Sequence, residues 1–464
     1  MLLQVNMKAY CFFVLYLGSL LFLGCSKNDD FNTDPSQKLE FSTDSILFDT
    51  LFTAAGSVTQ RVKIFNRGGK ALRIQEIKLG GGNSSNYKIN INGIASHLIN
   101  GVEIGGKDSI SLFVKVTINP NSSQLPFLVK DSISLITNGN LQKIILTAFG
   151  QNANFIKSGN INDNTIWDSK IPYVVYNMLK IKAEKTLTIK KGSRIYFHKD
   201  AEMVIDGTLK VEGSLTDSVV FSSDRPEKIY EDEPGQWLGL TFTSSSKNNV
   251  LNYAVIKNGS IGIKAEGLSV SNIPKIVLAN TIIKNMEVAS VYSSNSHIEA
   301  FNCTVINAGK YLVYAINGGK YNFKQNTFSN FSSKPRNTPS LLFSDGLSSS
   351  NTQALNLELV NNIIWGNLQD ELVFTKKGSG VFNTIVKNNL IKTKGTNFDV
   401  SNIFNVDPLF KNERKYNFQL NPGSPATNKG TNLTQDPAFN IWLNKDLRGK
   451  ERLFPSDLGS YEIL

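Results

Sequence analysis

Polar and apolar residues alternate through the first third of the chain, and a different rhythm takes over after it. Between residues 39 and 150, seven runs read as short strands: 45–52, 61–66, 71–79, 87–92, 109–118, 131–137 and 142–149. In Val62-Lys63-Ile64-Phe65 and Leu72-Arg73-Ile74-Gln75 the polar and apolar residues swap faces, the period-two pattern of a half-buried strand. Turn-rich separators such as Asn66-Arg67-Gly68-Gly69 and Gly80-Gly81-Gly82-Asn83 divide the runs. Seven or eight such strands in about 110 residues predict a β-sandwich over residues 39–150.

From about Ile171 the pattern changes. Leu187-Thr188-Ile189, Ile195-Tyr196-Phe197, Met203-Val204-Ile205 and Leu209-Lys210-Val211 follow one another with Gly turns between them and no room for helices. A phrase then recurs. Tyr253-Ala254-Val255-Ile256 matches Asn280-Thr281-Ile282-Ile283, Cys303-Thr304-Val305-Ile306, Asn326-Thr327-Phe328, Asn362-Ile363-Ile364 and Asn389-Leu390-Ile391, at steps of 27, 23, 23, 36 and 27 residues. Periods of 20 to 50 residues mark repeat architectures. The paired apolar residues are expected inside each coil. The Asn before them is expected at a turn, stacked into a hydrogen-bonded ladder. Residues 332–350, rich in Ser, Pro and Gly, account for the long step and read either as an insert projecting from the wall, a candidate rim for a binding groove, or as a disordered excursion.

These features carry family resemblances. The opening coils, and Pro234-Gly235-Gln236-Trp237-Leu238-Gly239 after them, resemble right-handed parallel β-helix proteins of the pectin-lyase-like superfamily. The first segment, with Ile110-Ser111-Leu112-Phe113-Val114 before Asn119-Pro120-Asn121, resembles bacterial Ig-like domains of the choice-of-anchor or Hydin-like kind. The ending Asp407-Pro408-Leu409-Phe410, Asn421-Pro422-Gly423-Ser424-Pro425-Ala426, Asp446-Leu447-Arg448-Gly449 and Asp457-Leu458-Gly459-Ser460-Tyr461-Glu462 resembles a choice-of-anchor Q region. The expected fold is therefore all-β: an Ig-like β-sandwich, then a right-handed parallel β-helix over 151–405, then a C-terminal region, 406–464, that caps the last coil's open strand edges.

The N-terminus adds an address. Lys8 precedes an apolar run of 15 residues, 9–23, short for a membrane span and suited to a signal-peptide core. Leu21-Phe22-Leu23-Gly24-Cys25 resembles a bacterial lipobox, with Phe22 where Leu is commoner. The resemblance implies that residues 1–24 are removed, that Cys25 carries lipid, and that 25–38 form a flexible tether. An uncleaved anchor is the alternative, and Met7 is an alternative start. Ser26 resembles outer-membrane sorting, so a cell-envelope lipoprotein with a membrane contact through its lipid is expected. Cys11 falls within the removed segment, leaving Cys303 as a lone thiol read as a small core residue.

Charge and chemistry sharpen this only partly. The formal net charge of +11 fits a solvated Lys-rich surface first, an acidic polysaccharide partner second and nucleic acid last, because no Arg-rich cluster appears. Many relatives of this fold cleave polysaccharides, by calcium-assisted lyase chemistry or with paired carboxylic acids. From Gln236 to Val400 only eight acidic residues occur, on different coils: Glu266, Glu287, Glu299, Asp345, Glu358, Asp370, Glu371 and Asp399. Their scatter argues against both reactions, and no metal or cofactor is expected. His297 is the best single catalytic candidate, and His198 reads as a turn residue. Ligand-binding candidates are Lys310-Tyr311, Lys320-Tyr321 and Arg336 in the insert. A glycan-binding or structural surface lipoprotein is the favoured expectation. A polysaccharide lyase or glycoside hydrolase on the same scaffold is the alternative.

Overall fold

A computed structural model of the chain describes residues 31–168, 170–268, 273–331 and 335–463. The apolar run with Cys11 and the lipobox-like stretch ending at Cys25 lie outside the described residues. The described chain forms two compact units: residues 31–120 with Phe127–Gly150, and Asn121–Pro126 with 151–463.

The first unit is a sandwich of two five-stranded antiparallel sheets. The expected strands are present, at Ser45–Phe52, Gln60–Phe65, Leu72–Leu79, Tyr87–Ile91, Ser109–Val116, Phe127–Thr137 and Asn140–Gln151. A further strand, Leu98–Ile104, escapes the alternation rule. Gly101, at φ +68°, interrupts it and throws two adjacent residues to the exposed side. Inward residues such as Val62, Ile64, Ile74, Leu112 and Val114 are fully buried.

The second unit is a right-handed parallel β-helix with three walls. Wall C runs from Asn154–Ile156 to Ile403–Phe404, wall A from Gly159–Ile161 to Leu372–Thr375, and wall B from Thr165–Trp167 to Phe382–Lys387. The chain visits them in the order C, A, B. Strands Ala289–Phe301 and Tyr311–Lys324 pass from A into B without a break. Each wall pairs in parallel, so every inward column is a stack of side chains one coil apart. On wall C that column is Ile195, Phe221, Ile256, Ile283, Val305, Phe328, Ile364 and Ile391, all buried. Further along, Tyr321, Phe343, Phe374 and Phe398 pack ring on ring with centroids 5.4, 6.1 and 5.9 Å apart. Trp237 stacks on Phe197 at 4.2 Å, and its indole N–H donates to the Lys257 carbonyl at 2.9 Å.

The turn from wall B to wall C divides between two adjacent columns the roles that the sequence assigned to one Asn. Tyr253, Asn280, Asn302, Gln325, Asn361 and Asn388 take left-handed backbone angles, φ +48° to +59°. The next residue points inward. In the last coils it is Asn326, Asn362 and Asn389, whose side-chain amides donate up the stack to Asn362, Asn389 and Asn402 at 3.0, 2.9 and 2.9 Å. Each amide also donates to a main-chain carbonyl, at Ala300, Phe323 and Leu359. In these last coils left-handed geometry and ladder bonding belong to neighbouring residues, whereas in the middle coils the left-handed Asn302 donates to the left-handed Asn280 at 3.3 Å, and Asn280 to Asn252 at 3.0 Å, so one Asn does both. Thr304 pairs with Ile282, so Cys303 stands beside Thr281, and the repeat step there is one residue shorter than the phrase alignment gives. Cys303 is buried in the core, which pushes its thiol up to about 12. A second corner is closed by Lys275, fully buried, whose ammonium donates to the carbonyls of Thr243, Ser244 and Glu266 at 2.7, 3.0 and 2.8 Å. Burial pulls that ammonium down to about 8.

The expected capping role falls to a different segment. Phe398 and Phe404 close the interior aromatic stack at its end. The C-terminal region instead lies sideways along the B-to-C turn and wall C. Tyr416 reaches Asn285, Ser460 bonds Thr304 and Thr327, and Thr431 bonds Asn361. Its Phe410, Phe418 and Leu458 cover Ile306, Ile363 and Leu390 on the outer face of wall C. Those wall positions are apolar outward as well as inward, so they need a covering layer along the side.

Replacing Asn362 by Ala removes a buried residue that bonds Asn326, Asn389 and the Phe323 carbonyl. At about 1–3 kcal/mol per stranded buried group, the thermal midpoint is expected to fall by several degrees. Asn383→Ala, on the exposed face with one bond to Asn356, is the control and leaves the midpoint in place. Equal midpoints for the two variants, read by circular dichroism, would contradict the ladder's role.

Candidate functional site

Differences in coil length shape one face of the β-helix into a groove. Inward residues on wall C are 35 residues apart from Phe221 to Ile256, then 27 to Ile283, 22 to Val305, 23 to Phe328 and 36 to Ile364. Strand length is fixed by pairing, so surplus residues must leave at the corners. The first long coil sends 224–238 out at the corner between wall C and wall A, and the second places 335–340 at the same corner. The short coils between them form the floor of a groove of about 480 Å³, lined by Asp232, Glu233, Glu287, Lys310, Pro335 and Tyr416 among others. A recess of about 530 Å³ adjoins it, sharing Asn307 and Tyr416.

The first excursion is firmly held. Arg225 lies 3.9 Å over the Tyr230 ring and pairs with Glu227. Asn258 donates to the Glu231 carbonyl at 2.8 Å, and Gln236 to the Glu233 carbonyl at 2.6 Å. Asp232 accepts from Asn285 at 2.9 Å and from Lys284 at 3.3 Å, and Lys284 sits 4.2 Å over the Tyr416 ring. Burial, with the Asp232 charge beside it, holds the Tyr416 phenol above its usual range. Glu287 accepts from the Ser260 hydroxyl at 3.0 Å and packs against Gly235, where a Cβ would meet its carboxyl at 2.9 Å. Gly235 also has φ +76°, so the position requires glycine twice over.

Beside the groove, wall A carries a row of tyrosines. Tyr311 and Tyr314 stack on each other at 4.4 Å and 14°, and Tyr292 stands 5.8 Å from Tyr314. Two consecutive buried residues, Leu312 and Val313, separate the pair, and this break in alternation turns both rings outward. All three are partly exposed. Register places Lys264, Tyr292, Tyr314 and Leu342 in one outward column. Aromatic faces in a row, beside a polar groove, suit the apolar face and hydroxyl rim of a sugar ring.

The candidates read from sequence separate. Lys310 lines the groove and Tyr311 begins the terrace next to it. Lys320 is exposed on wall B, beside His297. Tyr321 is a correction: it is 2% exposed, its hydroxyl bonds Ser293 and the Gly318 carbonyl, and it belongs to the interior stack. Arg336 is another. Its guanidinium is clamped on buried Glu371 at 2.7 and 2.9 Å, so it fastens the insert rather than meeting a ligand. The insert is also part wall, since Leu341–Ser344 is a strand of wall A. His297 faces outward on wall B, with Nε2 3.7 Å from Glu299, away from the groove. His198 donates or accepts at 2.7 Å with largely buried Asp224 and packs on Tyr176.

Carboxylates on different coils are not thereby scattered. Glu299, Asn322 and Glu358 form one outward column on wall B, and Lys324 bridges Glu358 and Asp436 there. The groove carboxylates Asp232 and Glu233 lie just ahead of Gln236, where the acidic count began. The run Glu231-Asp232-Glu233 before the Trp237 phrase is the signal that marks them. Among the described residues, no three His, Cys, Asp or Glu side chains gather as a metal site.

No family model and no curated protein matches the sequence. Among solved structures, a family 123 glycoside hydrolase from Clostridium perfringens, studied for glycolipid glycan hydrolysis, aligns at 9% identity over 24% of this chain with a TM-score of 0.19. The match spans a quarter of that hydrolase. PapD-like domain 7 of human CEP192 aligns at 10% identity over 26% of this chain and 89% of its own, with a TM-score of 0.18.

Arg336→Gln leaves the buried Glu371 carboxylate without its cation, held only by hydrogen bonds from Ser340 and the Leu368 amide. Breaking a buried pair from one side costs about 3–5 kcal/mol. A lowered thermal midpoint is expected, and an unchanged midpoint would show that the pair does not hold the insert.

Proposed function

We propose that this chain is an envelope lipoprotein of the pectin-lyase-like kind, acylated at Cys25, that binds glycan on its β-helix. The single observation that carries the ligand class is the row of Tyr311, Tyr314 and Tyr292 opening onto the groove at Lys310. Stacked, partly exposed rings are a poor use of apolar surface unless something covers them. A sugar face covers them while its hydroxyls meet the polar groove. The lipobox supports the tether: several acyl chains, at about 0.8 kcal/mol per buried methylene, would hold the protein at a membrane.

A second reading draws on one further observation, that Glu233 and Glu287 line the same groove. Two carboxylic acids at a sugar site are the minimum for glycoside hydrolysis. Lyase chemistry on a uronate finds less here, since among the described residues Lys310 is the only cationic side chain in the groove lining.

Isothermal titration against a panel of neutral, acidic and amino oligosaccharides tests the binding. Tyr311→Ala and Tyr314→Ala are each expected to weaken the best ligand about tenfold, or about 1.4 kcal/mol. Undiminished affinity in both variants would move the site elsewhere. Shortened or unsaturated products after prolonged incubation would replace binding with catalysis. For the tether, Cys25→Ser in the full-length chain is expected to shift the protein out of the detergent-soluble membrane fraction. Retention there would return the N-terminus to an uncleaved anchor.

A further inference from the structure

We infer that the groove selects a glycan bearing free amino groups, not a uronic acid polymer; this rests on the glycan-binding reading above. The chain's formal charge is +11, which by itself points to an acidic ligand. The charges at the site have the opposite sign. The groove lining brings Asp232, Glu233 and Glu287 against Lys310. In the adjoining recess Glu413 and Arg414 offset each other. On the terrace, Lys264 is tied to Glu266 at 2.8 Å, and Glu202 stands in the next outward column. Asp232 already has a cation in Lys284.

That leaves Glu233 and Glu287 as the carboxylates available to a ligand. Both belong to the rim where the first excursion meets the floor. Glu287 is seated against Gly235, two residues from Glu233, with one oxygen accepting from Ser260. Among the described residues, the Glu233 carboxylate has no partner. A sugar whose ring lies on Tyr311 and Tyr314 extends its substituents toward this rim through Lys310 and Gly309. An ammonium there finds two acceptors of opposite charge. A uronate carboxylate there meets two like charges, with Lys310 alone among the described lining residues to offset them. Of the other basic residues, Lys284 is taken up by Asp232 and Arg225 by Glu227, while Lys320, Lys376, Lys377 and Lys387 lie away from the groove on wall B and the last full coil.

The test titrates the mature protein with three tetramers: β-1,4-linked glucosamine, its N-acetylated counterpart and galacturonate. The glucosamine tetramer is expected to bind at least tenfold tighter than the N-acetylated one, with the difference shrinking as salt is raised. Glu287→Gln and Glu233→Gln are each expected to cut that preference below threefold. Tyr311→Ala is expected to weaken both oligomers. Equal affinity for the amino and N-acetylated forms, with the Tyr311 dependence intact, would overturn the amino-sugar inference and leave the glycan site standing. Tighter binding of tetragalacturonate would overturn it too. Failure of all three to bind would overturn both readings.

Discussion

The β-helix depends on one constraint: each coil must turn from wall B into wall C in register with the coils above and below. Two residues per turn meet it. One takes a left-handed backbone, which Asn tolerates better than most residues. The next sends a side chain inward, where the amides of Asn326, Asn362 and Asn389 pass hydrogen bonds from coil to coil. Earlier coils fill the same inward position with Ala254, Thr281 and Cys303, smaller groups that pack or bond locally. With that corner fixed, the apolar columns align and the three walls follow.

A fixed corner has a consequence for the opposite side of the coil. Length variation in these coils leaves at the corners away from the ladder, between walls C and A at 224–238 and 335–340, and between walls A and B at 345–354. Two long coils, separated by shorter ones, leave a trough between their excursions. The C-terminal region closes its third side with Tyr416. Shape and chemistry thus share an origin, because the excursion that makes the rim also supplies Asp232 and Glu233. The lateral position of the C-terminal region has the same logic. Wall C is apolar on its outer face at Ile306, Ile363 and Trp365, and a layer along the side covers what a plug at the end would leave exposed.

The sequence made the fold legible because the rules that build it are local. Alternation in Leu72-Arg73-Ile74 gives a strand, and the Asn phrases give the coil. It blurred where two rules meet. Gly101 hid a strand by breaking alternation. In the last coils the ladder Asn and the left-handed Asn are neighbours, and one phrase could not separate them, whereas Asn280 and Asn302 combine the two roles. The site was less legible, because it depends on differences between coils. Lys310-Tyr311 and Lys320-Tyr321 look alike as dipeptides. The Leu312-Val313 break keeps Tyr311 outside, while the corner at Gly318-Gly319 sends Tyr321 in. Arg336 looks free in a Ser- and Pro-rich segment, and only the stacking of the next coil brings Glu371 beneath it.

The claim that the corner groove and tyrosine row form the binding surface is tested most directly by hydrogen exchange with and without a saturating oligosaccharide. The account predicts slowed exchange confined to the backbone of residues 230–236, 285–292 and 307–314. Slowed exchange on wall B around His297 and Lys320 instead, with the corner unchanged, would contradict it.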